Sequence, residues 1–529
     1  MLILQNVSHA HPNKDLLFEN IHLTINHGQK IALIGNNGSG KSTLLKMIAG
    51  ELTPSSGVVT TSVAPYYIPQ VFGQFNNLTI AQALQVEQKC NALKKILAGD
   101  VSEVNITLLN DDWTIEERCR EALLYWLLDG LDLSQEMSSL SGGQKTKVFL
   151  AGISIHQPEI ILLDEPSNHL DTSGRERLYD FIENTPATMV IVSHDRKLLD
   201  IPDTVCELSK RGITVYGGNY TFYATQKQIE ANALQQDLKS REKALRKAKE
   251  TARETAERKQ KLDARGKKKQ EKAGVPTIMM NTLRNNAEKS TSRLVDVHAE
   301  KLDSLTGELN ELRKELPDAD KMIFGFDDST LHKGKILLTA EGINFGYSSQ
   351  LLWTPSLSFE IRSGERIALK GLNGSGKTTL IKILRGELEP RSGRLYRADI
   401  TSVYIDQEYS LINNELKVYE QAQQFSAAAL QEHEIKIRLA RFLFTKEFWD
   451  KSCATLSGGE KMRLMLCCLT LSNKAPDMII LDEPTNNLDI QNIEILTAAI
   501  NGYQGTLIVV SHDVYFLEEV NIQREITLA

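Results

Sequence analysis

The sequence predicts two α/β domains with mostly parallel sheets, joined by an α-helical hairpin. Three observations predict it. Four short motifs occur twice in the same order, the second copy of each 316 to 336 positions after the first. Each set opens with an apolar strand, a glycine-rich loop and a helical pattern, and later holds an apolar run ending in Asp-Glu, the alternation of a parallel sheet. The stretch between the sets is rich in Ala, Glu, Lys, Arg and Gln and carries leucines at helical spacing.

The first domain is expected over residues 1–227. Its start, Met1-Leu2-Ile3-Leu4-Gln5-Asn6-Val7, lacks the basic segment of a signal peptide and reads as a first strand. Gly35-Asn36-Asn37-Gly38-Ser39-Gly40-Lys41-Ser42 then matches G-x-x-x-x-G-K-[ST], with Thr43 next. In the second domain, expected over 334–529, Gly371-Leu372-Asn373-Gly374-Ser375-Gly376-Lys377-Thr378 matches it again, with Thr379 next. One such loop would arise by chance in roughly one chain of this length in fifty; four motifs in register, twice, would not.

A loop of this kind needs glycines because backbone N–H groups must converge on phosphates where a Cβ would obstruct them. The following helix offers its N-terminal amides and dipole to the anion. Lys41 and Lys377 supply charge to the outer phosphates of ATP, and the hydroxyls of Ser42 and Thr378 ligate Mg²⁺. Asp164 and Asp482 end the apolar runs Glu159–Leu163 and Met478–Leu481, which places a carboxylate at the sheet edge where the metal would sit. The adjoining Glu165 and Glu483 can polarise a water for in-line attack on the γ-phosphate.

The intervening region, 228–333, carries Leu302, Leu305, Leu309, Leu312 and Leu316 at spacings of 3 and 4, and a weaker stripe from Leu234 to Ala256. Gly274-Val275-Pro276 marks a turn, so two antiparallel helices of about 40 residues, roughly 60 Å, are expected. Residues 239–293 hold 18 Lys/Arg against 7 Asp/Glu, a balance of +11, so the rest carries −18 of the overall −7. Arg258, Lys259, Lys261, Arg265, Lys267, Lys268, Lys269 and Lys272 crowd eight cations into 15 residues near the expected tip. Two solvated helices need no such density, and the cluster points to a polyanion such as RNA.

Composition bounds the rest. At 529 residues, 41% hydrophobic and 24% charged, the chain is long enough for three or four domains with real cores. No run approaches the 18 or so apolar residues of a membrane span. Six cysteines show no C-x-x-C spacing, so neither a zinc site nor a disulfide framework is indicated, and a reduced cytoplasm fits. Between Gln70 and Leu140 lie 69 residues, against 48 between Gln407 and Leu456, so the first domain has an insertion of about 20 residues within Lys89–Thr114.

Leu140-Ser141-Gly142-Gly143-Gln144 and Leu456-Ser457-Gly458-Gly459-Glu460 resemble the signature of ATP-binding-cassette ATPases. The resemblance implies two P-loop ATP-binding-cassette domains pairing head-to-tail within a monomer, each nucleotide lying between one phosphate loop and the opposite signature. Site one would then unite Gly38, Lys41, Ser42, Gln70, Asp164, Glu165 and His194 with Ser457 and Gly459. Site two would unite Gly374, Lys377, Thr378, Gln407, Asp482, Glu483 and His512 with Ser141 and Gly143. It further implies that Gln70 and Gln407 sense the metal and γ-phosphate, and that His194 and His512 hydrogen-bond that phosphate. Tyr347 and His11, each 30 residues before its lysine, stand where the family stacks an aromatic ring on adenine.

Asp164–Asp171 and Asp482–Asp489, the segment Tyr216-Gly217-Gly218-Asn219-Tyr220 with Tyr223, and the charged linker resemble the ABC-F class over nearly the whole chain. That class implies a cytoplasmic ATP hydrolase whose linker meets the ribosome, with rRNA and tRNA as partners, as a translation factor or an antibiotic-resistance protein. The ATP-binding subunit of an exporter is the alternative, but a long basic hairpin has no evident task there. A chromosome or repair ATPase would split one cassette across its coil, whereas each side here holds a complete set.

Overall fold

The computed structural model describes residues 1–10, 16–272, 299–312, 332–347, 350–426, 430–472 and 474–528. The chain divides into two compact units, one of Met1–Tyr223 with Met322–Ala529 and one of Ala224–Lys321. Both motif sets therefore share the first unit.

Each set is built on a parallel sheet. In the first, strands lie in the spatial order Tyr66–Ile68, Ile160–Asp164, Thr188–Val192, Lys30–Ile34, Thr204–Ser209 and Gly212–Tyr216, with only the last pair antiparallel. The second repeats the order with Ser402–Ile405, Met478–Asp482, Thr506–Val510, Arg366–Lys370 and Arg524–Thr527, all parallel. Ile160–Asp164 and Met478–Asp482 are buried at every position, as expected for central strands covered on both faces. A three-stranded antiparallel sheet flanks each one, formed by Leu2–Ala10 between Leu16–Ile25 and Ser56–Thr61, and by Ile336–Asn344 between Leu357–Arg362 and Ser392–Arg397.

The glycine loops connect Lys30–Ile34 to helix Lys41–Ile48 and Arg366–Lys370 to helix Lys377–Leu384, at the C-terminal edge of each sheet. Strand order reverses beside the loop strands, which opens the crevice where such sheets take ligands. The extra residues of the first repeat form helix Glu103–Leu109 and most of helix Glu87–Leu97. Asp112 ties them down by accepting from Lys89 and Arg118, both at 2.9 Å.

In the second unit, helix Tyr220–Lys272 is 53 residues long, about 80 Å at 1.5 Å per residue. It exceeds the length expected from the sequence because it starts in the tyrosine segment of the first repeat. Residues 299–312 are helical as well. Within this unit Leu238 and Leu309 are buried and Arg241 pairs with Glu308, which joins the two helices. All eight clustered cations fall on the long helix, and Arg258, Lys261 and Arg265 are exposed. The predicted turn at 274–276 and His11 lie outside the described residues.

Candidate active sites

The two phosphate loops have nearly the same backbone. Gly40 and Gly376 cap the following helices at φ +97° and +88°, a left-handed conformation that favours glycine. Space imposes the same choice, since a Cβ on Gly40 would lie 2.8 Å from the side chains of Leu17 and Phe18. Lys41 Nζ donates to the carbonyls of Gly35 and Asn36, and Lys377 Nζ to those of Gly371 and Leu372. Burial lowers the pKa of both ammonium groups, opposed by the neighbouring Asp and Glu carboxylates. Ser39 Oγ and Ser375 Oγ are buried without hydrogen-bond partners.

Asp164 and Asp482 sit at the strand ends. Ser42 hydrogen-bonds Asp164 and Thr378 hydrogen-bonds Asp482. Tyr67 donates to Asp164 Oδ2 at 3.3 Å and Tyr404 to Asp482 Oδ2 at 2.9 Å, while Asp164 Oδ1 is buried with no partner. A hydroxyl beside an under-coordinated carboxylate is a hard-oxygen donor set, and it fits Mg²⁺. The sequence signal for these tyrosines is only their position, three residues before the glutamine in both repeats.

Glu165 and Glu483 occupy left-handed backbone, φ 53° and 49°, where a glutamate is uncommon. The same strain at both sites marks a held position. His194 N–H donates to Glu165 Oε2 at 3.3 Å, and His512 N–H donates to Glu483 Oε2 at 3.4 Å. The ring Nε2 atoms lie 3.3 and 3.4 Å from the other carboxylate oxygens. Glu483 Oε1 and His512 Nε2 nonetheless both lack a hydrogen-bond partner, so their approach is proximity without alignment. Burial raises Glu165 to about 8 and Glu483 to about 7, and lowers His194 to about 3 and His512 to about 4. Both rings are therefore neutral near pH 7.

The structure brings residues of opposite repeats together. A cavity of about 390 Å³ is lined by Asn37, Gly38, Gly40, Lys41, Ser42, Thr43, Gln70, Asp164, Glu165 and His194 of the first repeat, and by Ser457 and Asn487 of the second. A second cavity, about 310 Å³, joins Gly374, Asn373, Gln407, Glu483 and His512 to Ser141, Gly143, His169 and Arg175. Beside it, a cavity of about 660 Å³ holds Lys377, Thr378, Thr379, Asp482 and Tyr347. Tyr347 is thus placed on the phosphate-loop side, its hydroxyl 3.1 Å from Thr379 Oγ1. In the first repeat Leu17 lines the cavity.

Gly35, Asn36, Ser39, Gly371, Leu372, Ser375 and Gly459 do not line these cavities. The first two support Lys41 through their carbonyls, as Gly371 and Leu372 support Lys377. Gly459 packs on Asn492, whose amide would lie 2.2 Å from a Cβ placed there. Ser141 and Ser457 cap the signature helices Gly142–His156 and Gly458–Leu471, each in a capping box with Gln144 or Glu460. Each of these helix N-termini offers an anion site.

Hydrogen bonds cross between repeats directly. Asn37 Nδ2 donates to Asn487 O and Asn373 Nδ2 to His169 O, both at 3.3 Å, a pseudo-symmetric pair. Asn37 N–H donates to Asp489 Oδ2 at 2.8 Å, and Thr172 Oγ1 lies 3.1 Å from His512 Nδ1. No sequence signal separated Thr172 or Arg175 from ordinary helix residues.

The ABC transporter family profile matches residues 18–168 and 355–486. An erythromycin resistance ATP-binding protein, MsrA of Staphylococcus epidermidis, is 32% identical, over 97% of this chain and 94% of that protein. ABC transporter F family member 5 of Arabidopsis thaliana is 27% identical over 98% of this chain and 73% of its own length. Among solved structures, RNase-L Inhibitor superposes with a TM-score of 0.61 at 20% identity, over 99% of this chain and 87% of that one, a likeness of fold. Among the described residues no helix is long and apolar enough to cross a membrane.

Proposed function

This chain belongs to the ABC-F class of tandem ATP-binding-cassette proteins, and on that premise we propose that it is an ATP hydrolase that meets the ribosome through its basic linker. ATP binding and hydrolysis at two composite sites would set when it engages and leaves, and so modulate translation. The observation that carries this reading is the shared cavity, in which the phosphate loop of Lys41 faces Ser457 of the other cassette. A nucleotide between those surfaces joins the cassettes, and its loss lets them part.

Within each site the roles follow from position. Lys41 and Lys377 exchange loop carbonyls for phosphate oxygens. Ser42, Asp164 and Gln70, and Thr378, Asp482 and Gln407, would hold Mg²⁺, which offsets phosphate charge when bound. Glu165 and Glu483 orient the attacking water and accept its proton. Neutral His194 and His512 carry one N–H each to offer the terminal phosphate. The signature serines and helix N-termini close the far side.

The eight-cation segment of the linker suits rRNA and tRNA phosphates. The name of the MsrA relative makes drug protection a specific phenotype to examine, beside a housekeeping role in translation. The protein works as a cytoplasmic monomer in this reading.

Co-sedimentation with ribosomes tests it. The Glu165→Gln, Glu483→Gln double variant should bind ATP, lose about two to four orders of magnitude in turnover, and stay on ribosomes while ATP is present. Wild-type turnover in that variant, or recovery of the protein in membranes instead of ribosome pellets, would overturn the reading, the latter in favour of an exporter subunit.

A further inference from the structure

The two composite sites differ in what the opposite cassette brings to them. Helix Thr172–Asn184 of the first cassette faces site two, and Thr172 and Arg175 at its start are polar. Their counterparts in helix Ile490–Gly502, 318 positions on, are Ile490 and Ile493. Thr172 Oγ1 lies 3.1 Å from His512 Nδ1 and fixes that ring. At site one the corresponding atom, His194 Nδ1, is buried with no partner.

Arg175 is the larger difference. It is 8% exposed and lines the cavity that holds Gly374, Gln407, Glu483 and His512. Its Nε donates to Leu170 O at 3.3 Å and its NH1 to Asp195 Oδ2 at 3.4 Å, which fixes the guanidinium in place. Asp195 is in turn held by Tyr179, at 2.6 Å. A guanidinium has five N–H donors and keeps its charge in any protein setting. Arg175 shares that cavity with Glu483 and His512, whereas no residue of helix Ile490–Gly502 lines the cavity of Glu165 and His194.

We propose that Arg175, supported by Thr172, is a trans-acting positioning residue for ATP hydrolysis at site two, and that its absence from site one makes the two sites hydrolyse ATP at different rates. This rests on the reading of Glu165 and Glu483 as the hydrolytic pair. Arg175 acts by holding the Glu483 and His512 pair in a fixed positive field, where charge moves as water attacks. At site one the corresponding positions are Ile490 and Ile493, which carry no charge and do not line the cavity.

Single-site backgrounds test it. Glu165→Gln leaves hydrolysis to site two, and Glu483→Gln leaves it to site one. In the Glu165→Gln background, Arg175→Ile should lower kcat for ATP about tenfold, a barrier change of about 1.4 kcal/mol, with KM changed by less than about twofold. Arg175→Lys should recover most of that loss, because the charge returns. In the Glu483→Gln background, Arg175→Ile should leave kcat within about twofold. Asp195→Asn, which removes the charged partner and keeps the cation, should not reproduce the Arg175→Ile loss. Equal losses in both backgrounds, or an Asp195→Asn defect matching Arg175→Ile, would make Arg175 an ordinary interface residue and sink the proposal. An undiminished kcat in the Glu165→Gln background would sink it too. If the Glu165→Gln, Glu483→Gln double still turns over at the wild-type rate, the hydrolytic assignment fails and this proposal with it.

Discussion

The backbone amide of Asn37, in the first phosphate loop, donates to Oδ2 of Asp489, 452 residues away, at 2.8 Å. Asp489 also caps helix Ile490–Gly502 by accepting from the Asn492 N–H with its other oxygen. One carboxylate thus joins a helix start in one cassette to the loop of the other. The related residue, Asp171, caps its own helix through Gly174 and accepts from Ser173 Oγ. Contact between the cassettes is therefore unequal at the two loops.

Asp489→Ala should loosen the first phosphate loop more than the second. It removes a cap worth about 0.5–2 kcal/mol together with the bond to Asn37. Nucleotide titrations in the two single-site backgrounds should show weaker binding at the Lys41 site. Equal weakening at both sites would mean that the bond is incidental.

Ser457 is expected to act on the nucleotide held by Lys41, and Ser141 on that held by Lys377. A Lys41→Ala, Ser457→Ala double should lose little more turnover than either single, because both changes disable one site. A Lys41→Ala, Ser141→Ala double should lose both sites. Steady-state ATPase rates distinguish the pairs, and identical behaviour of the two doubles rules out head-to-tail sharing within the chain.

Neutralising the cluster from Arg258 to Lys272 should weaken ribosome binding and flatten its salt dependence. Each lost phosphate contact should reduce the log–log slope by about 0.7 to 0.9. ATPase activity without ribosomes should change little. Normal binding at every salt concentration would reduce the linker to a spacer.

In the nucleotide-free protein His194 and His512 should each lower stability in acid, against an opposite contribution from Glu165 and Glu483. Burial holds their pKa values at about 3 and about 4, whereas an unfolded imidazole takes its proton near 6.5. The unfolded chain thus binds more protons below pH 6.5, and each ring removes up to about 1.4 kcal/mol per pH unit as the pH falls toward 4. Glu165 and Glu483 act with the opposite sign, since their raised values, about 8 and about 7, stabilise the fold at low pH and lose that contribution as pH rises through them. His194→Gln with His512→Gln should leave the glutamate contribution unopposed, so that Tm at pH 5 rises relative to Tm at pH 6.5 when compared with the parent. The same pH dependence in variant and parent would show that the two rings do not titrate on unfolding.

The repeated α/β architecture, the two phosphate loops and the acidic strand ends can be read from residue pattern alone. These depend on local requirements: glycine where a Cβ would collide, and continuous apolar runs where both sheet faces are covered. The sequence also locates the insertion of the first cassette and the charge of the linker, because length and charge are additive along a chain. What lies across a gap of more than 300 residues is set by how the cassettes pack, and local spacing carries no trace of it. Asn37 meeting Asp489, Thr172 meeting His512 and Arg175 entering the second site follow from that packing. Asp489, Thr172 and Arg175 read in the sequence as ordinary cap or helix positions, and packing alone makes each part of a site in the other cassette.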